Sequence, residues 1–174
     1  MPRVAVPDGP ELVTDRVWKL RPEYAPAAAA MVDAVQRLSI LDVRMREAVR
    51  YRMAQINGCL ICQAFRSSAA REEGFTEDDY NAIGNAEART ARFSPREALA
   101  IDYAERFAID HHSLDDEYFE RMHELFTDPE IVDLTFFAGR YMAFGRLTHV
   151  LGLDDTCEVS FDSVYGAPQE PQKV

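Results

Sequence analysis

The sequence predicts an all-α fold, and three observations support this prediction. A Ser or Thr is followed three residues later by Asp or Glu at five places where a helix could begin, so that a side-chain oxygen and a carboxylate can bind the free N–H groups of a first turn. Apolar residues recur at helical spacing, and no segment alternates strictly between apolar and polar residues as a half-buried strand does. The five pairs are Ser39 with Asp42, Thr76 with Asp79, Ser94 with Glu97, Ser113 with Asp116, and Thr127 with Glu130.

Helical periodicity places about seven helices along the chain. The clearest covers residues 95–109, where Ile101, Tyr103 and Phe107 contribute to one broad apolar stripe. The predicted helices lie roughly at 26–37, 40–56, 59–73, 77–89, 95–109, 114–125 and 128–151. We therefore expect a single all-α helical domain.

The last predicted helix, "IVDLTFFAGRYMAFGRLTHVL", is apolar on nearly all faces and mixes small residues with aromatic ones. A helix of this kind must be covered on most of its surface. Two interpretations follow equally well from the pattern. The helix is expected to lie centrally, either within the core of a monomer or also at a subunit interface.

The domain organisation is simple. We expect an irregular N-terminal arm over residues 1–25, a single helical domain over 26–154 and a polar tail over 155–174. Four prolines fall within residues 1–24, and the chain ends in "YGAPQEPQKV". Both features are typical of chain ends outside a packed core.

Charge and composition restrict the function classes. Lys and Arg number 19 and Asp and Glu number 30, which gives a net charge of −11. This charge repels phosphate backbones and anionic membranes, so neither nucleic acid nor a membrane surface is an expected partner. No apolar run is long enough to span a bilayer, and the N-terminus lacks the apolar stretch of a signal peptide, so we expect a cytoplasmic protein.

Two of the three cysteines form the main chemical motif of the chain, "NGCLICQAFR". Asn57-Gly58 is a helix-stop signal, so Cys59 should begin the next helix and Cys62 should lie one turn further on. A spacing of three places both sulfurs on one face, close enough to bridge, and free N–H groups at a helix start favour a thiolate. The pair could be redox-active, could be packing, or could contribute to a metal site, although zinc needs three or four ligands.

Glu47 precedes Cys59 by twelve residues. On one unbroken helix the two would stand roughly 18 Å apart and about 120° around the axis. They can meet only if the chain turns back between them, which the Asn-Gly break permits. Glu47 is then a candidate proton acceptor for a thiol.

The spacing Glu47-x11-Cys59-x2-Cys62 resembles the signature of the alkylhydroperoxidase D-like branch of the carboxymuconolactone decarboxylase family. Residues 46–74 look like the motif helices of that family, and the segment "GRLTHVLGL" is similar to its closing helix. The resemblance implies an AhpD-like helical bundle, usually homo-oligomeric, that acts as a thiol-dependent peroxidase or disulfide reductase and requires no organic cofactor or metal. The implied partners are a hydroperoxide or disulfide substrate and an external dithiol, which in relatives can be a lipoyl protein.

The same resemblance implies the role of each site residue. Cys62 matches the cysteine that attacks peroxide, Cys59 matches the cysteine that supplies a proton and then forms the disulfide, and Glu47 matches the carboxylate of the proton relay. The free N–H groups and the dipole at a helix N-terminus would by themselves stabilise a thiolate at Cys59 rather than at Cys62. This prediction disagrees with the roles that the resemblance implies.

Arg66 is a departure from the family pattern, which places a histidine four residues after the second cysteine. Arginine can stabilise a thiolate by its charge but cannot take and return a proton, because its pKa is too high. We expect Arg66 to pair with Glu47 and the relay to be incomplete. The alternatives are a catalytically silent oligomeric scaffold and a decarboxylase-like enzyme of the same family, although such decarboxylases generally lack the cysteine pair.

Several other residues carry weaker signals. His149 is interpreted as a core histidine or, alternatively, as a substitute proton carrier. Tyr51, one turn after Glu47, is expected to pack, and the basic run "RMREAVRYR" is expected to form a solvated helix face. Three further histidines, two in a polar loop and one on a helix, are interpreted as ordinary surface residues; they are His111, His112 and His123. Cys157 lies in the tail and is interpreted as having no functional role.

Overall fold

The computed structural model describes residues 1–153, and these residues form an all-α structure, which confirms the predicted fold class. They contain ten α-helices, two short 3-10 helices and no strand. The helices are α1 Val13–Arg16, α2 Ala25–Arg37, α3 Val43–Ile56, α4 Leu60–Ala64, α5 Ser68–Glu72, α6 Glu77–Ala82, α7 Ala86–Arg92, α8 Pro95–Ile109, α9 Asp116–Leu125 and α10 Asp128–Val150. The 3-10 helices are Val17–Leu20 and His111–Ser113.

Two of the predicted helices, 59–73 and 77–89, are each divided into two shorter ones. The side chain of Ser67 accepts a hydrogen bond from the N–H of Ala70, and the side chain of Asn85 accepts one from Ala88. Each cap begins a new helix, α5 or α7, inside a segment that the periodicity alone presents as continuous.

Three of the five predicted caps are confirmed as capping boxes, those begun by Thr76, Ser94 and Thr127. The caps predicted at Ser39 and Ser113 are wrong. Asp42 caps α3 and Asp115 caps α9 instead, each through its own carboxylate. A carboxylate directly before the helix competes successfully with a hydroxyl two or three residues earlier.

Helices α3, α8 and α10 pack against one another and form the main core. Helix α10 also packs against α2, so it lies centrally, as both sequence interpretations expected. Val132 and Phe136 of α10 nevertheless remain exposed. The core side chains of the three helices include Met45, Val49, Met53, Ala100, Tyr103, Ala104, Leu134, Phe137 and Ala138.

A second apolar cluster holds α5 and α6 against α3 and α8. Its buried members include Ala48, Ala70, Phe75, Tyr80 and Ile101. This cluster determines where the start of α6 lies relative to α3. It therefore positions the Tyr80 hydroxyl over the middle of α3.

The N-terminal arm, predicted to be irregular, contains α1 and a 3-10 helix and is attached to the end of α10. Val13 and Val17 are buried together with Leu153. The N–H of Arg3 donates to the carbonyl of Leu151 at 2.8 Å. The predicted tail, including Cys157, lies outside the described residues, and within residues 1–153 no helix has the length and apolar character needed to cross a bilayer.

Gly145 allows α10 to pass close to the end of α3, and its replacement by Ala is expected to be destabilising. A Cβ at this position would clash with the side chain of Asn57, which is buried and donates to the carbonyl of Tyr141 at 3.0 Å. We expect a loss of about 1–3 kcal/mol in the free energy of unfolding, measured by denaturant titration.

Gly139→Ala is the matched control, because it lies on the same helix and its added Cβ would lie 3.8 Å from Phe107, an ordinary contact. This variant should be neutral or more stable, by up to about 1 kcal/mol, because Ala favours the helix. Equal stabilities for the two variants would contradict the close approach at Gly145.

Candidate functional site

The chain turns back after α3, as the sequence predicts. Asn57 ends the helix and Gly58 takes a positive φ of 68°. The N–H of Cys59 donates to the carbonyl of Ala54 at 3.1 Å, which satisfies one of the last free carbonyls of α3. Helix α4 then begins at Leu60 and packs against α3.

Cys59 and Cys62 are joined by a disulfide, with their Cα atoms 5.3 Å apart. Cys59 is 2% exposed, whereas Cys62 is only partly buried. The backbone N–H of Cys62 also lies 3.3 Å from the Cys59 sulfur, which accepts its hydrogen bond. The two sulfurs therefore differ in accessibility and in hydrogen bonding.

Glu47 lies in the interior and is only 5% exposed. Its carboxylate accepts two hydrogen bonds from the Arg50 guanidinium, both at 2.7 Å, and one from the Tyr80 hydroxyl at 2.6 Å. The backbone N–H of Ser67 approaches Oε1 at 3.4 Å. Burial and the hydrogen bond to Glu47 raise the pKa of the Tyr80 phenol, so Tyr80 is a donor to this carboxylate.

Arg50 connects this carboxylate to the cysteine-bearing segment. Its Nη1 donates to the carbonyl of Cys62 at 2.6 Å and its Nη2 to the carbonyl of Phe65 at 3.3 Å. Burial acts against the charged guanidinium, but the Glu47 carboxylate holds the pKa of Arg50 above its ordinary value. Glu47 and Arg50 thus form a buried ion pair that supports the backbone of α4.

Sequence reasoning missed Arg50, because it placed the basic run around this residue on a solvated helix face. That interpretation is wrong for Arg50, which is buried. The sequence did contain a signal for this burial. Arg50 follows Glu47 by three residues and lies between the apolar residues Val49 and Met53, and an acidic and a basic side chain at this spacing can neutralise each other inside a core.

Arg66 does not contact Glu47, so the predicted ion pair between them is wrong. Its guanidinium binds Glu77 through two hydrogen bonds of 2.7 and 3.0 Å. It also donates to the carbonyls of Gln63 and Phe65 at 2.5 and 2.9 Å. Inside the core, the Glu47 carboxylate is bound by the Arg50 guanidinium. Arg66, by contrast, follows α4 and faces the first turn of α6.

Tyr80 was also missed, because no local pattern relates it to Glu47, which precedes it by 33 residues. The Arg66 guanidinium carbon lies 4.1 Å from the centre of the Tyr80 ring. Tyr51 packs edge-on against Tyr80, with ring centres 4.8 Å apart, as the packing interpretation expected.

The histidines lie elsewhere. His149 is exposed near the end of α10, so its interpretation as a core histidine is wrong. His111 and His112 are exposed in a 3-10 helix, and His123 is an exposed residue of α9 that lies 3.4 Å from Asp128. Within residues 1–153, no three His, Cys, Asp or Glu side chains form a group able to hold a metal ion.

A cavity of about 330 Å³ borders the Glu47–Arg50 pair. It lies between α2, α3, α5 and α10, and we call it the α3 cavity. Its walls combine charged, polar and aromatic side chains. The lining residues are Gln36, Val43, Arg46, Glu47, Arg50, Phe65, Ser67, Ser68, Ala69, Glu72, Phe137 and Tyr141.

Comparison with known structures shows the same fold in three proteins. A protein of unknown function from Agrobacterium tumefaciens, named as a candidate antioxidant defence protein AhpD, superimposes with a TM-score of 0.67 at 23% identity, over 78% of this chain and 92% of that one. A peroxidase-related protein from Silicibacter sp. TM1040 gives 0.67 at 19% identity, over 79% and 73%. An alkylhydroperoxidase AhpD core protein from Ralstonia eutropha JMP134 gives 0.66 at 22% identity, over 79% and 73%.

Comparison of sequences gives a consistent result. The uncharacterized protein YdfG of Bacillus subtilis is 28% identical over 115 residues, which span 66% of this chain and 78% of YdfG. The model of the carboxymuconolactone decarboxylase family matches residues 22–106, a range that includes Glu47, both cysteines of the disulfide and Tyr80. Residues 22–106 thus match the model of the carboxymuconolactone decarboxylase family, and the chain shares the fold of AhpD-like proteins, in agreement with the resemblance seen in the sequence.

Proposed function

We propose that this protein is a thiol-dependent oxidoreductase that reduces a hydroperoxide or a disulfide through Cys59 and Cys62. The observation that carries the proposal is the disulfide between a buried and a partly exposed cysteine, next to a buried carboxylate–guanidinium pair. A bridge between residues three apart closes too short a loop to contribute much to stability. Its value therefore lies in opening and closing.

The reduction of a hydroperoxide begins at Cys62. The Cys62 thiolate attacks the terminal peroxide oxygen, the O–O bond breaks, and Cys62 becomes a sulfenic acid. The departing alkoxide takes the proton of the Cys59 thiol and leaves as an alcohol. The resulting Cys59 thiolate attacks the Cys62 sulfur, the S–S bond forms, and hydroxide is released.

An external dithiol completes the cycle. Its thiolate attacks the Cys62 sulfur, forms a mixed disulfide and releases Cys59 as a thiolate, and its second thiol then displaces Cys62. The product is the oxidised dithiol, so two electrons and two protons pass to the cysteine pair. A lipoyl protein is a suitable dithiol partner.

Exposure and hydrogen bonding support the assignment of Cys62 as the sulfur that meets substrate. Cys62 is the more accessible of the two, and the hydrogen bond from its backbone N–H to the Cys59 sulfur favours Cys59 as the departing thiolate. The N–H contact also explains the preference for a Cys59 thiolate that helix-terminus physics predicts. Both expectations can hold, because they describe different steps of the cycle.

Glu47 acts in this proposal as a positioning residue, together with Arg50. Its carboxylate is held by Arg50 and Tyr80, and Arg50 in turn binds the carbonyl of Cys62. This arrangement fixes the backbone of α4 and provides a charged group near the reacting segment. Arg66, neutralised by Glu77, contributes by holding the end of α4.

Oxidation of the reduced protein by a hydroperoxide is the direct test. We expect the peptide that contains residues 59–66 to lose two hydrogens in mass spectrometry after treatment with a stoichiometric amount of hydroperoxide, and to regain them with a dithiol. If both thiols stay reduced and alkylate slowly near neutral pH, the pair does not cycle and the protein is a helical scaffold.

Arg66→His is expected to raise peroxidase turnover about tenfold or more, because a positioned general acid–base group typically contributes at least that factor. The measurement is the steady-state rate of hydroperoxide reduction with a saturating dithiol. Arg66→Gln is the control, since it also removes the contact with Glu77 but cannot transfer a proton. Equal rates for the two variants would show that a missing proton carrier does not limit turnover.

Assembly into a homo-oligomer is part of the same proposal. The exposed apolar side chains of Val132 and Phe136 lie one turn apart on α10, and a partner subunit would cover them. Residues of this kind on the central helix fit the interpretation that places α10 at a subunit interface.

A further inference from the structure

The α3 cavity combines one arginine that retains hydrogen-bonding capacity with an apolar wall. We propose that it is a binding site for small carboxylates with an apolar body, and that Arg46 is the residue that recognises the carboxylate. The identification of this carboxylate as part of the substrate rests on the proposed function, whereas the binding itself does not.

Two arginines line the α3 cavity, and only Arg46 has guanidinium nitrogens that donate no hydrogen bond. Arg50 uses Nε, Nη1 and Nη2 for Glu47, Cys62 and Phe65. Arg46 donates from Nη1 to the carbonyl of Gln36 at 3.1 Å, while its Nε is buried and has no hydrogen-bond partner. The Nε atom is closed to solvent, so a carboxylate that enters the cavity would bind the terminal nitrogens of the guanidinium, of which Nη2 makes no hydrogen bond within residues 1–153.

The charges around the cavity also favour an anion. Glu47 is neutralised by its two hydrogen bonds to Arg50, so it does not repel a second carboxylate as a free charge would. The other acidic lining residue, Glu72, is exposed, where solvent screens it. Arg46 is therefore the cation that an incoming anion meets.

The opposite side of the cavity suits an apolar body. Val43, Phe65, Phe137 and Tyr141 contribute to its walls, and its volume of about 330 Å³ suits a small organic molecule. Phe65 follows Cys62 by three residues, and Arg50 binds the carbonyls of both. A molecule in this cavity would contact the same pair that supports the disulfide, which places it beside the proposed reaction.

Octanoate and octanamide are suitable probes, because they share an apolar chain and differ in the charge of the head group. We expect the oxidised, full-length protein to bind octanoate at least about tenfold more tightly than octanamide in calorimetric titrations, as a hydrogen-bonded charge pair implies. Arg46→Gln should remove this preference by weakening octanoate binding alone, and Arg46→Lys should retain part of it.

Arg37→Gln is the matched control, since Arg37 is an exposed arginine of α2 that pairs with Asp33 and does not line the cavity. It should leave the preference unchanged. Equal affinities for the two probes, binding of neither, or an unchanged preference in Arg46→Gln would overturn the proposal, and the first two outcomes need no variant to fold.

Because these titrations require no thiol chemistry, they separate this proposal from the proposed function. A cysteine pair that cycles in a protein without the octanoate preference contradicts the carboxylate site alone. A protein that prefers octanoate but whose thiols do not react with hydroperoxide contradicts the redox function alone.

Discussion

Replacing Glu47 with Ala is expected to lower the free energy of unfolding by about 3–5 kcal/mol, because it leaves a buried guanidinium without its counter-ion. Arg50 is buried and receives its charge compensation from Glu47. The same change removes the acceptor of the Tyr80 hydroxyl. Equilibrium unfolding in urea, followed by circular dichroism, measures the loss.

The matched control is Glu77→Ala. Glu77 also binds an arginine through two hydrogen bonds, but its side chain is 66% exposed. Its loss should lower the free energy of unfolding far less than Glu47→Ala does, because solvent screens exposed ion pairs. The double variant Glu47→Leu with Arg50→Leu should recover part of the stability, since an apolar pair leaves no buried charge. Equal losses for Glu47→Ala and Glu77→Ala would contradict the buried ion pair.

Replacing Cys62 with Ser is expected to abolish hydroperoxide reduction, with turnover at least about a thousandfold lower, because a hydroxyl is a far weaker nucleophile than a thiolate. Cys59→Ser should instead allow a single reduction per molecule. Cys62 then remains as a sulfenic acid that its proposed partner, Cys59, can no longer resolve. A sulfenic-acid trapping reagent and intact-protein mass spectrometry distinguish the two variants.

The contrast between the two variants is what tests the assignment. If Cys59→Ser abolishes the reaction and Cys62→Ser retains a single event, the buried cysteine is the one that attacks. This result would favour the prediction from helix-terminus physics over the roles implied by the family resemblance.

Much of the fold follows from local sequence rules. Capping boxes begun by Thr76, Ser94 and Thr127 lie where the structure begins three helices. The divisions at Ser67 and Asn85 were not predicted, because a single side-chain cap interrupts a helix without altering the apolar periodicity around it. The sequence therefore indicates which segments are helical more reliably than it indicates where a helix is interrupted.

The candidate site was predictable only where it is local. The turn at Gly58 and the proximity of Cys59 to Cys62 follow from spacing along one short segment. The partners of Glu47 do not, because the choice between Arg50 and Arg66 depends on which guanidinium enters the core. The packing between α3, α5 and α6 determines which guanidinium is buried, and no local sequence pattern predicts this packing.

The shape of α4 is specified largely by side chains that lie outside it. Arg50 and Arg66 hold the carbonyls of residues 62, 63 and 65, so hydrogen bonds from outside the helix add to its packing against α3. Leu60, whose side chain is 74% exposed, and the exposed Ala64 are then open to substitution. Substitutions at these two positions can therefore change the surface that α4 presents beside the disulfide, while the hydrogen bonds that hold its backbone stay intact.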